Sequence, residues 1–384
     1  MRTIYLDNAA STWPKPKTVS EAVAACIDGY AANPGRGGHK LSMKASKIIY
    51  QARVKAARLF HVKNPNDIIF TSNATHALNQ AIKGFVKPGA HVITTSLEHN
   101  SVRRPLEFLR KEAGVDVTYI KPADHRFSLE AIRSAIRTNT SLIVVSHASN
   151  LLGTIAPVQE IGRLAHEKGI AYLVDASQSA GILPLNVEDM YIDMLAFPGH
   201  KGLYGPQGTG GLYIHPEIDL IPLLHGGTGS HSEAIDQPTT RPDRYESGTL
   251  NTPGIAGLAA GLDFVLETGI DVIREKEWKL TRLLLERLEE MEGVHVFGPD
   301  KDVERVGVIP FMIDGIDASE LAYILDQEYG IAVRAGFHCT PLAHETAGTS
   351  ETGAVRVSFG YFNDEEDIEA LIKALAEISE AFAL

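Results

Sequence analysis

The sequence predicts an α/β protein: a large, mostly parallel seven-stranded sheet flanked by helices, joined to a smaller α+β C-terminal domain. Three observations carry this expectation. Seven short apolar runs recur between residues 67 and 215, amphipathic segments separate many of them, and the texture changes after about residue 255.

The runs are DIIFTS (67–72), HVITTS (91–96), VDVTYI (115–120), SLIVVSH (141–147), AYLVDAS (171–177), DMLAFP (193–198) and GGLYIH (210–215). Most are rich in Val, Ile and aromatic residues, as strands buried on both faces should be. Between them, HALNQAIKGF, PLEFLRKEA and PVQEIGRLAHEKG read as amphipathic helices. That alternation is the signature of βαβ units and a parallel sheet. Beyond residue 255, two helical stretches precede a strand at VGVIPFMIDG and a helix at DASELAYILDQEYG. A strand pair near IAVRAG and GAVRVSFG follows. Asn363 with Glu366 three residues later reads as a capping box. After it, Ile368, Leu371, Ile372, Leu375 and Ile378 recur at helical spacing. The expected division is 15–259 for the large domain, with 1–14 and 260–384 for the small one. The YLDNAAS segment is expected at the small domain or at the seam.

The 384 residues are 44% hydrophobic and 22% charged, an ordinary globular mix. Net charge is −12, so a basic nucleic-acid footprint is not expected. The N-terminus lacks an apolar core of the signal-peptide kind, and no apolar run reaches membrane-spanning length. The expected location is the cytoplasm, with no membrane contact. Two cysteines, Cys26 and Cys339, leave no cluster for structural zinc, and no metal is expected.

In a doubly wound sheet, ligands bind beyond the carboxyl ends of the strands. DIIFTS runs into Asn73, Ala74, Thr75 and His76 at a helix start, whose free N–H groups suit a phosphate. HVITTS leads to Glu98 and His99, SLIVVSH to Asn150, and AYLVDAS to Asp175 and Gln178. DMLAFP ends in Gly199, His200 and Lys201. Taken singly, Asp175 reads first as a helix cap or turn carboxylate, His99 as a structural histidine and Lys201 as a surface charge. Together, five polar sites on one sheet edge exceed what packing alone explains. Glycines at 199, 202, 205, 208, 210 and 211 enclose Lys201, and a lysine desolvated in such a place becomes a nucleophilic amine. GPQGTGG does not open a helix after a first strand, and GxxxxGK[ST] is absent, so neither a dinucleotide fingerprint nor a P-loop is present.

The motifs ATHALN, LEHN, SNLLGT, VDASQ, PGHKGLYGPQGTGGLY and ESGTLNTPG resemble the class V aminotransferase family of fold-type I pyridoxal 5′-phosphate (PLP) enzymes. RAGFHCTPL and VRVSFGYFN resemble group II cysteine desulfurases and selenocysteine lyases. The resemblance spans nearly the whole chain. It implies that Lys201 holds PLP as a Schiff base and moves protons, that Asp175 pairs with the ring nitrogen, and that Gln178 meets the phenolic oxygen. It implies that His99 stacks on the ring, that Ala74, Thr75 and His200 bind the phosphate, and that Thr249 reaches the phosphate of a neighbouring subunit in a homodimer. Asn150 is implied near the phenolic oxygen and substrate carboxylate, with Arg356 clamping that carboxylate. Pro198 stands where many relatives have Ser or Thr, and His76 where an acid is common.

Cys339 follows His338 in a turn-rich loop with Gly336, Thr340 and Pro341, an exposed setting rather than a core strand. The resemblance implies that its thiolate takes sulfur from L-cysteine, leaving L-alanine and a persulfide for an acceptor protein. Arg334 or nearby histidines are the groups expected to favour the thiolate. The alternatives are a selenocysteine lyase or another class V aminotransferase or lyase acting on a small amino acid, with Cys339 incidental. Cys26 falls within a helical pattern and is expected to be structural.

Overall fold

The computed structural model describes residues 2–35, 38–123, 127–230 and 233–382. In chain order the strands are β1 (Ile4–Tyr5), β2 (Ile68–Thr71), β3 (His91–Thr95), β4 (Asp116–Ile120), β5 (Thr140–Ser146), β6 (Ala171–Asp175), β7 (Met194–Pro198) and β8 (Gly210–Ile214). They continue with β9 (Val294–Val296), β10 (Val308–Ile313), β11 (Ile331–Ala332), β12 (Arg334–Gly336) and β13 (Ala354–Ser358). Among the described residues, β2 to β8 form a seven-stranded sheet in the order β2-β8-β7-β6-β5-β3-β4. All pairings from β7 through β4 are parallel, and β8 runs antiparallel to both its neighbours. The seven expected runs all become strands; those inside the sheet are apolar enough to be covered on both faces, while β4 at the edge is only half-buried. β2, β3, β7 and β8 are buried at every position.

After β4 the chain crosses back and enters β5 on the opposite side of β3. The connections therefore diverge between β3 and β5, and the carboxyl edge opens into a crevice there. A fully buried Phe197 on β7 anchors the middle of the sheet against Phe60, with ring centroids 4.9 Å apart. Gly211 on β8 makes room for it, since a Cβ there would stand 2.3 Å from the Phe197 ring.

A four-stranded antiparallel sheet, β12-β13-β10-β9, packs with helices 270–289, 318–329 and 365–382 around its own core of Leu284, Phe311, Val357 and Leu371. The N-terminal segment sutures this layer to the large sheet. β1 pairs in parallel with β11, Asn8 Nδ2 donates to Ser358 O at 3.1 Å, and the Thr12 N–H donates to His200 O at 3.1 Å.

One local expectation shifts by a residue. The cap of helix 365–382 is a reciprocal pair between Asp364 and Asp367, whose backbone N–H groups donate to each other's carboxylates at 3.3 and 3.2 Å. Asn363 is drawn away to the seam, donating to Tyr5 O and accepting from Asn8 Nδ2 and the Gly360 N–H. A side chain held by Tyr5, Asn8 and Gly360 does not cap its own helix, and Asp364 supplies the anionic acceptor instead.

Phe197→Ala removes a buried ring where Phe60 cannot collapse far, so a loss of about 3–5 kcal/mol is expected. A shift of the urea unfolding midpoint with unchanged slope checks it.

Candidate active site

Eleven of the twelve expected site residues converge on one cavity of about 230 Å³ at the carboxyl edge of the large sheet. Asp175 is the last residue of β6 and Lys201 lies three residues past the end of neighbouring β7. The two strands are paired in parallel, so both side chains reach the same edge. Ser177 donates to Asp175 Oδ1 through its N–H at 2.9 Å and its hydroxyl at 2.5 Å. Burial pushes the Asp175 carboxyl up against those bonds and against the Lys201 charge. Burial also pulls the Lys201 ammonium down to about 8; Asp175 opposes that shift, while Arg356 and Arg334 add to it.

His99 precedes helix 100–113 and caps it. The Ser101 N–H donates to His99 Nδ1 at 3.0 Å. Burial, followed by the charges of Lys201 and Arg334, pulls the ring down to about 4. The imidazole is therefore neutral, and with Nδ1 accepting, its proton sits on Nε2. Asn73 caps helix 74–85 by accepting from the His76 N–H at 2.9 Å, which leaves the first-turn N–H groups of Ala74 and Thr75 at the cavity. The β8 backbone backs this cradle, for a Cβ on Gly210 would stand 2.9 Å from Asn73 Cα. Gln178 also lines the cavity, while its Nε2 is tied to Ala9 O at 3.0 Å.

The opposite wall comes from the small sheet. Arg334 on β12 and Arg356 on β13 stand directly across from each other in an antiparallel pair. Arg356 is fully buried; it donates to Asp7 Oδ1 at 2.7 Å and to Asn150 O at 2.9 Å. Its Nε is buried with no partner among the described residues, and so is His200 Nδ1. Like charges held opposite each other on a sheet are unfavourable unless an anion joins them.

Cys339 lies on the rim with its side chain exposed. His338 and Cys339 both have left-handed backbone, φ 50° and 59°. For residues with a Cβ this costs on the order of 1–3 kcal/mol each. Three bonds hold the turn: Asn150 Nδ2 to His338 O at 2.7 Å, the Asn100 N–H to Cys339 O at 2.8 Å, and the Thr340 hydroxyl to Glu98 O at 3.1 Å. Burial drives His338 down to about 3, so it is neutral at pH 7. Of the groups expected to favour a thiolate, Arg334 is the one that carries charge into this cavity.

Thr249 is the residue that does not join them. It lines a separate cavity of about 210 Å³ beside the Arg53–Glu246 ion pair. Other cavity residues had not been singled out, among them Ser101, Ser146 and Ser177. Glu98, noted only as a run end, is fully buried, with Thr95 and Ser146 donating to its carboxylate, and burial pushes it up to about 7. Its place before His99 was the available signal, but nothing in the sequence shows that Ser146 faces it.

The residues present fit PLP: a desolvated amine for its aldehyde, a buried carboxylate for its ring nitrogen, and a helix start with an unpartnered His200 Nδ1 for its phosphate. With the mostly parallel seven-stranded sheet, this defines a fold-type I PLP enzyme. The family model for aminotransferase class-V matches residues 4–371. A protein of Methanothermobacter thermautotrophicus named "Probable cysteine desulfurase" is 38% identical, covering 98% of this chain and 94% of its own. A "Cysteine desulfurase" of Haloferax volcanii is 33% identical over 99% and 90%. The apo structure of a cysteine desulfurase from Thermococcus onnurineus NA1 superposes with TM-score 0.93 at 35% identity, covering 99% of this chain and 95% of its own. The chain belongs to the class-V aminotransferase family, and PLP is its cofactor.

Only the unprotonated Lys201 amine adds to an aldehyde, and that fraction grows as pH rises toward and past about 8. The rate of PLP uptake by cofactor-free protein should therefore rise about tenfold per pH unit below 8 and level off above it. Visible absorbance after mixing reads the rate; a flat profile from pH 6 to 9 would count against a depressed lysine.

Proposed function

We propose that the protein is a PLP-dependent cysteine desulfurase that converts L-cysteine to L-alanine and leaves the sulfur as a persulfide on Cys339. The observation that carries the reading is an exposed thiol, held on strained backbone, opening into the same cavity as Lys201 and Asp175. The names of the relatives from Haloferax and Thermococcus support the same reaction.

The bound cofactor supplies an electron-withdrawing ring that accepts charge from bonds broken at the substrate's Cα. Asp175 would hold the ring nitrogen protonated, with Ser177 fixing that carboxylate, and neutral His99 would pack against the ring without adding a competing positive charge. Arg356 and Arg334 bind the substrate carboxylate, which supplies the anion that their opposed positions call for. The Lys201 amine takes the proton from Cα and returns one to carbon later. Cys339 attacks the substrate sulfur as thiolate. The C–S bond breaks, its electron pair stays with the substrate carbon, and that carbon takes a proton to become the methyl group of alanine.

The finer parts belong to the same proposal. Thr249 serves the phosphate of a second subunit in a homodimer, which accounts for its absence from its own cavity. The division proposed is 15–259 against 1–14 and 260–384; the N-terminal strand supports it by pairing with β11, whereas helix Thr252–Thr268 spans the 259/260 boundary and its Leu262 and Val265 pack in the core of the large sheet. A sulfur-acceptor protein removes the persulfide. The location is the cytoplasm, where the free thiols Cys26 and Cys339 stay reduced; among the described residues no helix is long and apolar enough to cross a membrane.

Cys339→Ala should cut sulfide release from L-cysteine with a dithiol reductant by about 10²-fold or more, while PLP absorbance is kept. Wild-type turnover in that variant would transfer the reading to another amino-acid lyase or an aminotransferase. Arg334→Gln removes one charge-assisted bond worth about 1.5–3 kcal/mol. A KM for cysteine raised about 10- to 100-fold is expected from steady-state kinetics.

A further inference from the structure

Outside the catalytic cavity, a second hollow of about 390 Å³ runs across the surface from Cys339 between helices 74–85 and 100–113. It shares Thr75, His99, Ser101 and Cys339 with the catalytic cavity, so the two are continuous through the sulfur. Its charge is opposite in sign to the net charge of the chain. The chain carries a net charge of −12, yet the ionic groups lining this hollow are Lys83 and Arg104, with no carboxylate among the lining residues. The nearest acid on helix 100–113, Glu107, is engaged by Arg110 at 2.8 Å and by the Tyr119 hydroxyl at 3.0 Å. At the far end Phe108 is half exposed, with Lys83 Nζ 4.6 Å from its ring centroid. An exposed aromatic ring beside cations, next to a nucleophile, has the composition of an interface anchor.

We propose that this groove docks an acidic, cysteine-bearing segment of the protein that accepts sulfur from Cys339. The proposal rests on the desulfurase reading and names the surface and chemistry of its acceptor. Lys83 and Arg104 draw in the carboxylates flanking the incoming cysteine, and Phe108 receives an apolar side chain farther along. That span from sulfur to ring favours a polypeptide over a small thiol. The incoming thiolate attacks the outer sulfur of the Cys339 persulfide. A new S–S bond forms on the acceptor, the old one breaks, and Cys339 leaves with the electron pair as thiolate. The proton shed by the acceptor thiol goes to solvent, and no external oxidant or reductant is required.

The test uses the PLP-loaded enzyme, L-cysteine and two short synthetic peptides, each with one cysteine and one phenylalanine. Glu and Asp flank the cysteine in one peptide, and Lys flanks it in the other. Mass spectrometry follows peptide persulfide with time. Transfer to the acidic peptide should be faster by about tenfold at low ionic strength, and the gap should narrow at high salt. Lys83→Glu should erase most of that preference and Phe108→Ala should slow the acidic peptide several-fold. Both variants should release sulfide with dithiothreitol at the parent rate. Equal rates for the two peptides in the parent enzyme, or glutathione accepting as fast as the acidic peptide, would overturn the docking proposal and leave the desulfurase reading intact. No sulfide from the parent enzyme with dithiothreitol would remove that reading, and this proposal with it.

Discussion

Lys201 and Asp175 leave adjacent parallel strands at the same edge, and the chemistry of the site depends on that juxtaposition. Each group alone is costly to bury. The carboxyl is pushed up and the ammonium pulled down by the same desolvation, and each opposes the other's shift. The result is an amine that is partly neutral near pH 8 and a carboxylate ready for a cation brought in from outside. A pyridinium ring bearing an aldehyde would satisfy both, the ring nitrogen pairing with the carboxylate and the aldehyde taking the amine, so cofactor fit follows from electrostatics as much as from shape.

A second cost is held in the small sheet. Arg334 and Arg356 oppose each other across β12 and β13, against the usual preference of cross-strand neighbours. Asp7 and Asn150 hold Arg356 in place. Asp7 comes from the N-terminal segment, whose neighbour Asn8 is bonded to Ser358 and Asn363 and whose Thr12 reaches His200. One short stretch of chain thus fixes Arg356 and the lysine loop in the same frame. Loss of that suture would move both walls of the cavity at once.

The cysteine turn stores strain at the third side. Its carbonyls are tied to Asn150 and Asn100, and Thr340 is tied to the segment carrying Glu98 and His99. The same segment that lays His99 into the cavity therefore sets where the thiol stands. This is a short, determined loop, and it presents Cys339 both to the catalytic cavity and to the surface groove beyond it.

The large sheet was legible in the sequence because strands covered on both faces are apolar along their interiors, as the IIF, YLV and MLAF stretches of DIIFTS, AYLVDAS and DMLAFP are. The residues at their ends were legible for the same reason, since a polar group directly after such a run has one edge of the sheet to occupy. The cap of the last helix was misplaced by one residue because Asn363 has partners near the other end of the chain, at Tyr5 and Asn8. Sequence alone singled out Lys201, Asp175, His99, Arg356 and Cys339 as candidates, since each stands in a recognisable local motif, and all five line one cavity. Tertiary structure alone decided what each one feels. The arginine pair, the Asp7 clamp, the buried Glu98, the neutrality of His338 and the cationic groove beside Cys339 arise from burial and from contacts between distant segments. Desolvation and Coulomb energies depend on distance in space, and a linear order of residues does not contain it.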